Sequence, residues 1–179
     1  MTRQLQAHRL NMQTFAQEGM PLAETTLLQN MERLAQETQG LQPDSAVKWQ
    51  ANAELRAGSG QEADVWLHLE AAATVPLTCQ RCMGVVITPV NVDQWYRFVA
   101  TEQIAMAEDD ESEEDLLVME PQFDLLAVLE DELLMALPLV PMHEVCPVTP
   151  QLSAGDSVEI TVASEKPNPF AVLAQLKKK

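Results

Sequence analysis

Between residues 46 and 71 the chain twice alternates apolar and polar residues, and a period of two is incompatible with a helix. Val47, Trp49, Ala51, Ala53 and Leu55 alternate with Lys48, Gln50, Asn52 and Glu54. Successive side chains of a strand point to opposite faces, so this set makes one dry face and one wet one. Residues 56–61, RAGSGQ, form a turn by composition. A second strand follows, with Val65, Leu67, Leu69 and Ala71 inward and Trp66, His68 and Glu70 outward. The two predict an antiparallel hairpin with a longer loop. A third strand region spans 85–99, with Val90, Val92, Tyr96 and Phe98 on one side and Pro89 marking an edge or a bulge.

Helical patterns flank this meander. Over residues 123–137, Leu126, Leu129, Leu133, Ala136 and Leu137 fall along one side, widened by Leu125, Val128 and Met135. Glu130, Asp131 and Glu132 supply the polar face. The pattern predicts a core helix buried on most of its circumference. Pro138 ends it, lacking an N–H and clashing with the carbonyl four residues back, and Pro141 keeps the exit extended. Residues 20–37 also read as a helix. Pro21 suits its first turn, Glu24 its positive end, and Leu27, Leu28, Met31, Leu34 and Ala35 its buried side, with Gly40 and Pro43 beyond its stop. Residues 1–20 have no clear period and read as an extended segment docked through Leu5, Leu10, Met12 and Phe15. The expected architecture is α+β: an antiparallel sheet over 46–99 packed with helices, in a single domain spanning residues 1–179.

A chain of this length buries roughly 70% of its unfolded surface and supports a core without staples. The formal charge is −16, from 27 acids and 11 bases. A generic nucleic-acid surface is basic, because affinity comes largely from neutralising phosphates. This composition points to basic proteins as partners, or to solubility alone. Residues 108–115, EDDESEED, hold seven acids in eight positions. Repulsion predicts an acidic, disordered, flexible loop over 107–120. No apolar run reaches the roughly 20 residues of a membrane span. The first residues lack the apolar core of a secretory signal, and three cysteines fit a reducing compartment, so the expected location is the cytoplasm. No small-molecule substrate is indicated.

The chain ends in a tail over 150–179. Lys166-Pro167-Asn168-Pro169 is a stiff lead-in, Phe170, Val172, Leu173 and Leu176 give a short apolar face, and Lys177, Lys178 and Lys179 close it. This is too short for a stable lone helix. It reads as a docking segment in which Phe170 and Leu173 meet a partner and the three lysines meet RNA, or as a terminal helix packed on its own domain.

Cys79-Gln80-Arg81-Cys82-Met83-Gly84 is a C-x2-C followed by glycine, and His143 and Cys146 form an H-x2-C. In metal knuckles this spacing lets two thiolates converge, with glycine relieving the turn. Cys79, Cys82, His143 and Cys146 together make a Cys3His set suited to a structural zinc ion. Buried reduced cysteines and a redox pair are the competing readings. Redox pairs usually open a helix, whereas here a strand follows. Catalysis finds no support. His8, His68 and His143 have no nucleophile context, and there is neither a P-loop nor a glycine-rich dinucleotide turn.

Three stretches resemble one family when taken in order. They are LTCQRCMG at 77–84, DLLAVLEDELLMALPLVPMH at 124–143 and KPNPFAVLAQLK at 166–177. They are similar to the YceD family, the large ribosomal RNA subunit accumulation proteins. The resemblance implies a cytoplasmic, non-enzymatic factor in large ribosomal subunit biogenesis. Such a factor supports the synthesis, processing or stability of 23S ribosomal RNA through binding to precursor particles. The family brings no catalytic residue to carry over. Some relatives have a fourth cysteine near the H-x2-C; here only Cys146 stands there, and a metal site depends on His143. Combined with the charge, the expected partners are a large-subunit precursor and a basic ribosomal protein or assembly factor. RNA contact would be limited to Arg81 and the lysine tail. The alternatives are an acidic escort for a free ribosomal protein and a small zinc-binding structural protein.

Overall fold

The computed structural model describes residues 6–58 and 63–148. The chain divides into a unit over 1–148 and a second over 149–179, and all described residues belong to the first. The tail at 150–179 therefore lies outside the described residues, as do Leu5 and residues 59–62. No helix among the described residues is long and apolar enough to cross a membrane.

The architecture is α+β. Three long strands form the expected meander: β2 (Ala46–Ala57), β3 (Ala63–Thr78) and β4 (Val85–Val99). Antiparallel register sets Leu55 against Val65, Leu67 against Tyr96 and Val65 against Phe98. All but Leu55 of these are buried, so the alternation read from the sequence becomes the core face of the sheet. Pro89 sits in the first half of β4, which pairs only with β3 and is an edge on its other side. A residue with no N–H costs nothing there.

Two further strands complete a sheet in the order β1-β2-β3-β4-β5. β1 (Leu22–Leu27) lies antiparallel to β2, and β5 (Asp115–Val118) lies parallel to β4, so the sheet is mixed. The helix expected over 20–37 is thereby corrected. Its first half is β1, a 3-10 turn follows at Leu28–Asn30, and only Glu32–Gln36 is helical (α2). Thr25 and Thr26 favour the strand, β2 offers a free edge, and Trp49 Nε1–H donates to Thr26 Oγ1 at 2.9 Å. Leu28, Met31 and Leu34 do reach the core.

Two other expectations change. Residues 12–18 of the segment read as extended form a helix, α1 (Met12–Glu18), capped by Asn11, whose side chain accepts from Thr14 N, and ended by Gly19 in the left-handed region at φ 59°. Leu10, Met12 and Phe15 nonetheless dock as expected, with Leu10 bridged to Phe123. The acidic stretch at 107–120 is not a bare loop. It holds the end of α3 (Glu102–Glu108), a turn and β5. The half-buried Arg97 overcomes the repulsion by binding Glu108 at 2.9 Å and Glu114 at 2.7 Å, and by donating to Ser112 Oγ at 3.0 Å.

The core helix is α4 (Leu125–Met135), capped by Asp124. Its buried stripe is Leu125, Leu129 and Leu133 alone, with Leu126, Val128 and Leu134 half-buried and Met135 80% exposed. Burial on most of its circumference is thus corrected. α4 rests on β3 and β4 along one side and meets α2 along another, which leaves the rest of its surface to solvent. Glu130 of the expected polar face accepts from the backbone N–H groups of Arg33 and Leu34 at 2.8 and 3.1 Å. It serves as the cap that α2 lacks on its own side chains. α1 packs on β2 and β3. The opposite face of the meander carries Lys48, Gln50, Trp66, His68, Glu70, Asp93 and Trp95, none of them fully buried.

Candidate metal centre

β3 and β4 are joined at one end of their ladder by the C-x2-C. The turn is closed by Cys79 N–H donating to the Gly84 carbonyl at 2.8 Å and Met83 N–H donating to the Cys79 carbonyl at 2.9 Å. Met83, and not Gly84, takes the left-handed conformation, at φ 60°. A Cβ at Gly84 would meet Cys82 Sγ at 3.6 Å, an ordinary contact. The expectation that glycine relieves this turn is therefore corrected, because the strained position falls one residue earlier.

After α4, Pro138 and Pro141 send the chain to the same place. Gln80 N–H donates to the Pro141 carbonyl at 2.9 Å, clamping the knuckle to the incoming segment. Cys79, Cys82, His143 and Cys146 then converge, with one ligand atom from each within 4.8 Å of the others. Cys79 Sγ lies 4.0 Å from Cys146 Sγ, and Cys82 Sγ lies 3.5 Å from His143 Nδ1. Tetrahedral zinc with ordinary Zn–S and Zn–N bonds needs donor separations of about 3.3–3.8 Å, so small adjustments suffice. Three sulfurs and one imidazole nitrogen suit zinc by donor type.

His143 is held for this role by a carbonyl that carries no sequence signal. Nε2–H donates to the Val85 carbonyl at 2.9 Å, which leaves the Nδ1 lone pair facing Cys82. Cys79 is buried, which alone pushes its thiol up. Backbone N–H groups of Cys82, His143 and Arg81, with the His143 side chain, outweigh burial and bring it down to about 5. The Cys146 thiol is pushed up, first by burial and then by the two neighbouring sulfurs. All three cysteines are free of disulfides. Thiols crowded this closely, one of them readily ionised, form a set that a divalent cation would relieve of its repulsion.

Arg81 stands exposed beside the cluster, its guanidinium 3.9 Å from Met142 Sδ. The other residues singled out as partner-binding, Phe170, Leu173, Lys177, Lys178 and Lys179, lie outside the described residues.

The knuckle, α4 and the H-x2-C segment all lie in the part of the chain that matches a family profile. The profile described as "Large ribosomal RNA subunit accumulation protein YceD" matches residues 67–177. The chain belongs to the YceD family. A YceD-family relative in Haemophilus influenzae, named "Large ribosomal RNA subunit accumulation protein YceD", is 40% identical over 114 residues, covering 59% of this chain and 61% of the relative. The chain thus spans about 61% of the length of that curated relative. No solved structure matches this YceD-family chain. The matched span contains all four donors, while α1, β1, α2 and β2 lie before it.

Proposed function

We propose that this chain is a non-enzymatic factor of large ribosomal subunit biogenesis that supports the accumulation of 23S ribosomal RNA by binding precursor particles in the cytoplasm. Family membership carries the reading, since both the matching profile and the Haemophilus influenzae relative bear the name of an RNA accumulation protein. At −16 the chain is poorly suited to coat naked RNA. Its main contact in the particle is a basic ribosomal protein or another assembly factor, with Arg81, Lys177, Lys178 and Lys179 reaching RNA and Phe170 and Leu173 anchoring the tail.

Cys79, Cys82, His143 and Cys146 hold a structural zinc ion in this reading. Bound there, the ion would cross-link the β3–β4 turn to the segment after α4. The Nδ1 lone pair of His143 and the convergence of the four donors support it.

A sucrose gradient of gently lysed cells at low and high salt tests the main reading. Migration with large-subunit precursors at low salt, with release at high salt, is the expected result for an electrostatically held factor. Residence at the top of the gradient at both salts would replace it with an acidic escort for a free ribosomal protein, a reading that the charge also supports. Elemental analysis of protein purified under reducing conditions tests the zinc. One ion per chain, lost in Cys79→Ser, is expected, and none would remove the site.

A further inference from the structure

The face of the meander opposite α1 and α4 carries a stacked row that nothing so far uses. His68 lies flat on Trp95, with ring centroids 4.3 Å apart and planes at 3°. The Arg56 guanidinium carbon lies 4.1 Å from the Trp95 centroid and 4.3 Å from that of Trp66. The two indoles meet edge to face at 6.4 Å. β2, β3 and β4 each contribute, because the register sets His68 against Trp95 and Glu54 against Trp66. Carboxylates surround the row. Glu54 accepts from Arg56 Nε at 2.5 Å, Asp93 bonds His68 Nε2 at 2.8 Å, and Glu114 is bound to Arg97.

Beside the row a groove of about 520 Å³ is lined by Arg56, Trp66, Trp95, Asp93, Glu113 and Glu114. Asp93 and Glu113 are exposed. Glu113 makes no ion pair among the described residues, and Asp93 pairs only with His68. Indole faces attract cations, and the nearby carboxylates deepen that attraction while repelling phosphates. Arg56 already shows which group this chemistry accepts, since one guanidinium of the chain itself fills the space between the two tryptophans.

We propose that the Trp66–Trp95 face of the sheet is a docking surface for an arginine- or lysine-rich segment of a basic protein, whose cationic side chains lie in the groove beside the indoles and bond to Asp93 and Glu113. The occupant follows from charge complementarity, with two indoles lining the groove and the exposed carboxylates of Asp93, shared with His68, and Glu113 beside them on a chain of −16. This locates the partner half of the reading above and rests on that reading only for the partner being ribosomal.

The test is fluorescence anisotropy of a labelled octapeptide of alternating arginine and glycine, titrated with the full chain. A saturable isotherm is expected. Trp95→Ala should weaken it on the order of tenfold. Trp95→Phe, which keeps a ring, should remain within about threefold. Asp93→Asn with Glu113→Gln should weaken binding, and Glu18→Gln with Glu32→Gln, an equal charge change on the helical side, should leave it nearly unchanged. If Trp95→Ala fails to fold by circular dichroism, the last two pairs decide. Equal weakening by both carboxylate pairs would reduce the surface to bulk charge and overturn the proposal. So would a single-stranded RNA dodecamer that binds the wild type and loses affinity in Trp95→Ala, since the face would then belong to nucleic acid. A chain that binds the peptide but stays at the top of the gradient loses the ribosomal-particle reading only. One that enters precursors without binding the peptide loses only this surface.

Discussion

The β3–β4 ladder carries a different cation-seeking site toward each of its ends. At the turn, Cys79 and Cys82 meet His143 and Cys146, which arrive from 61 and 67 residues away. Toward the other end, Trp66, His68 and Trp95 meet Arg56 and a rim of carboxylates, assembled from three neighbouring strands. The first set suits a compact metal ion, with soft donors enclosed by loops and fixed by backbone hydrogen bonds. The second suits an organic cation, with half-buried indoles and harder oxygens lining a groove. The turn end depends on closing a long loop, so it is the end that a missing ligand should loosen. The aromatic end is held by strand pairing that exists without any ligand.

The largest expected effect separates the two ends directly. Removing the proposed zinc ion with a chelator, or through Cys79→Ser, should lower the melting temperature by roughly 10 °C, because binding free energy at a structural site is folding free energy. Hydrogen exchange should rise at residues 79–85 and 141–146 and stay low at 64–70 and 93–98. Uniform loosening of the whole ladder would show that the two ends are one cooperative unit.

A smaller effect is expected from Arg97→Ala at the aromatic end. Arg97 is half-buried, which alone would lower its pKa, yet Glu114 and Glu108 raise it, so its charge is secured by the carboxylates it binds. Truncating it leaves these acids facing one another without a counter-charge. The cost should be roughly 2–3 kcal/mol by urea denaturation, with faster exchange across α3 and β5. The metal content should not change. Coupled loss of zinc would mean that the acidic segment supports the turn end as well.

The sequence made the two ends legible to different degrees. The donors at the turn are visible by type, as cysteines and a histidine at metal-ligand spacing, although buried reduced cysteines and a redox pair share that pattern. What fixes them does not, because the Val85 and Pro141 carbonyls are backbone groups with no residue identity. At the aromatic end, alternation placed Trp66 and His68 outward, but only the strand register brings Trp95 and Arg56 beside them. The same distinction runs through the fold. β2, β3 and β4 were readable because alternation survives any register. The helix expected over 20–37 failed because Leu27, Leu28, Met31, Leu34 and Ala35 fit a helical spacing, while the free edge of β2 claims the first of them. α1 had its Asn11 cap and Gly19 stop in the sequence, but no long apolar period to draw attention to them.

The smallest effect concerns the turn that joins the two strands. Met83 holds φ 60° with its side chain 66% exposed, so it bears left-handed strain with little burial in return. That conformation costs a non-glycine residue roughly 1–2 kcal/mol, and glycine avoids it while losing more chain entropy on folding. Met83→Gly should therefore stabilise the protein by about 0.5–1 kcal/mol, read as a higher urea midpoint at unchanged slope. Met83→Ala, which keeps a Cβ, should bring no gain. Gly84→Ala should be tolerated within about 1 kcal/mol, since its new methyl meets only Cys82 Sγ at 3.6 Å. Destabilisation by Met83→Gly would mean that the methionine side chain itself supports the turn. The difference between the ends would then be narrower, with large side chains as well as backbone pairing supporting each.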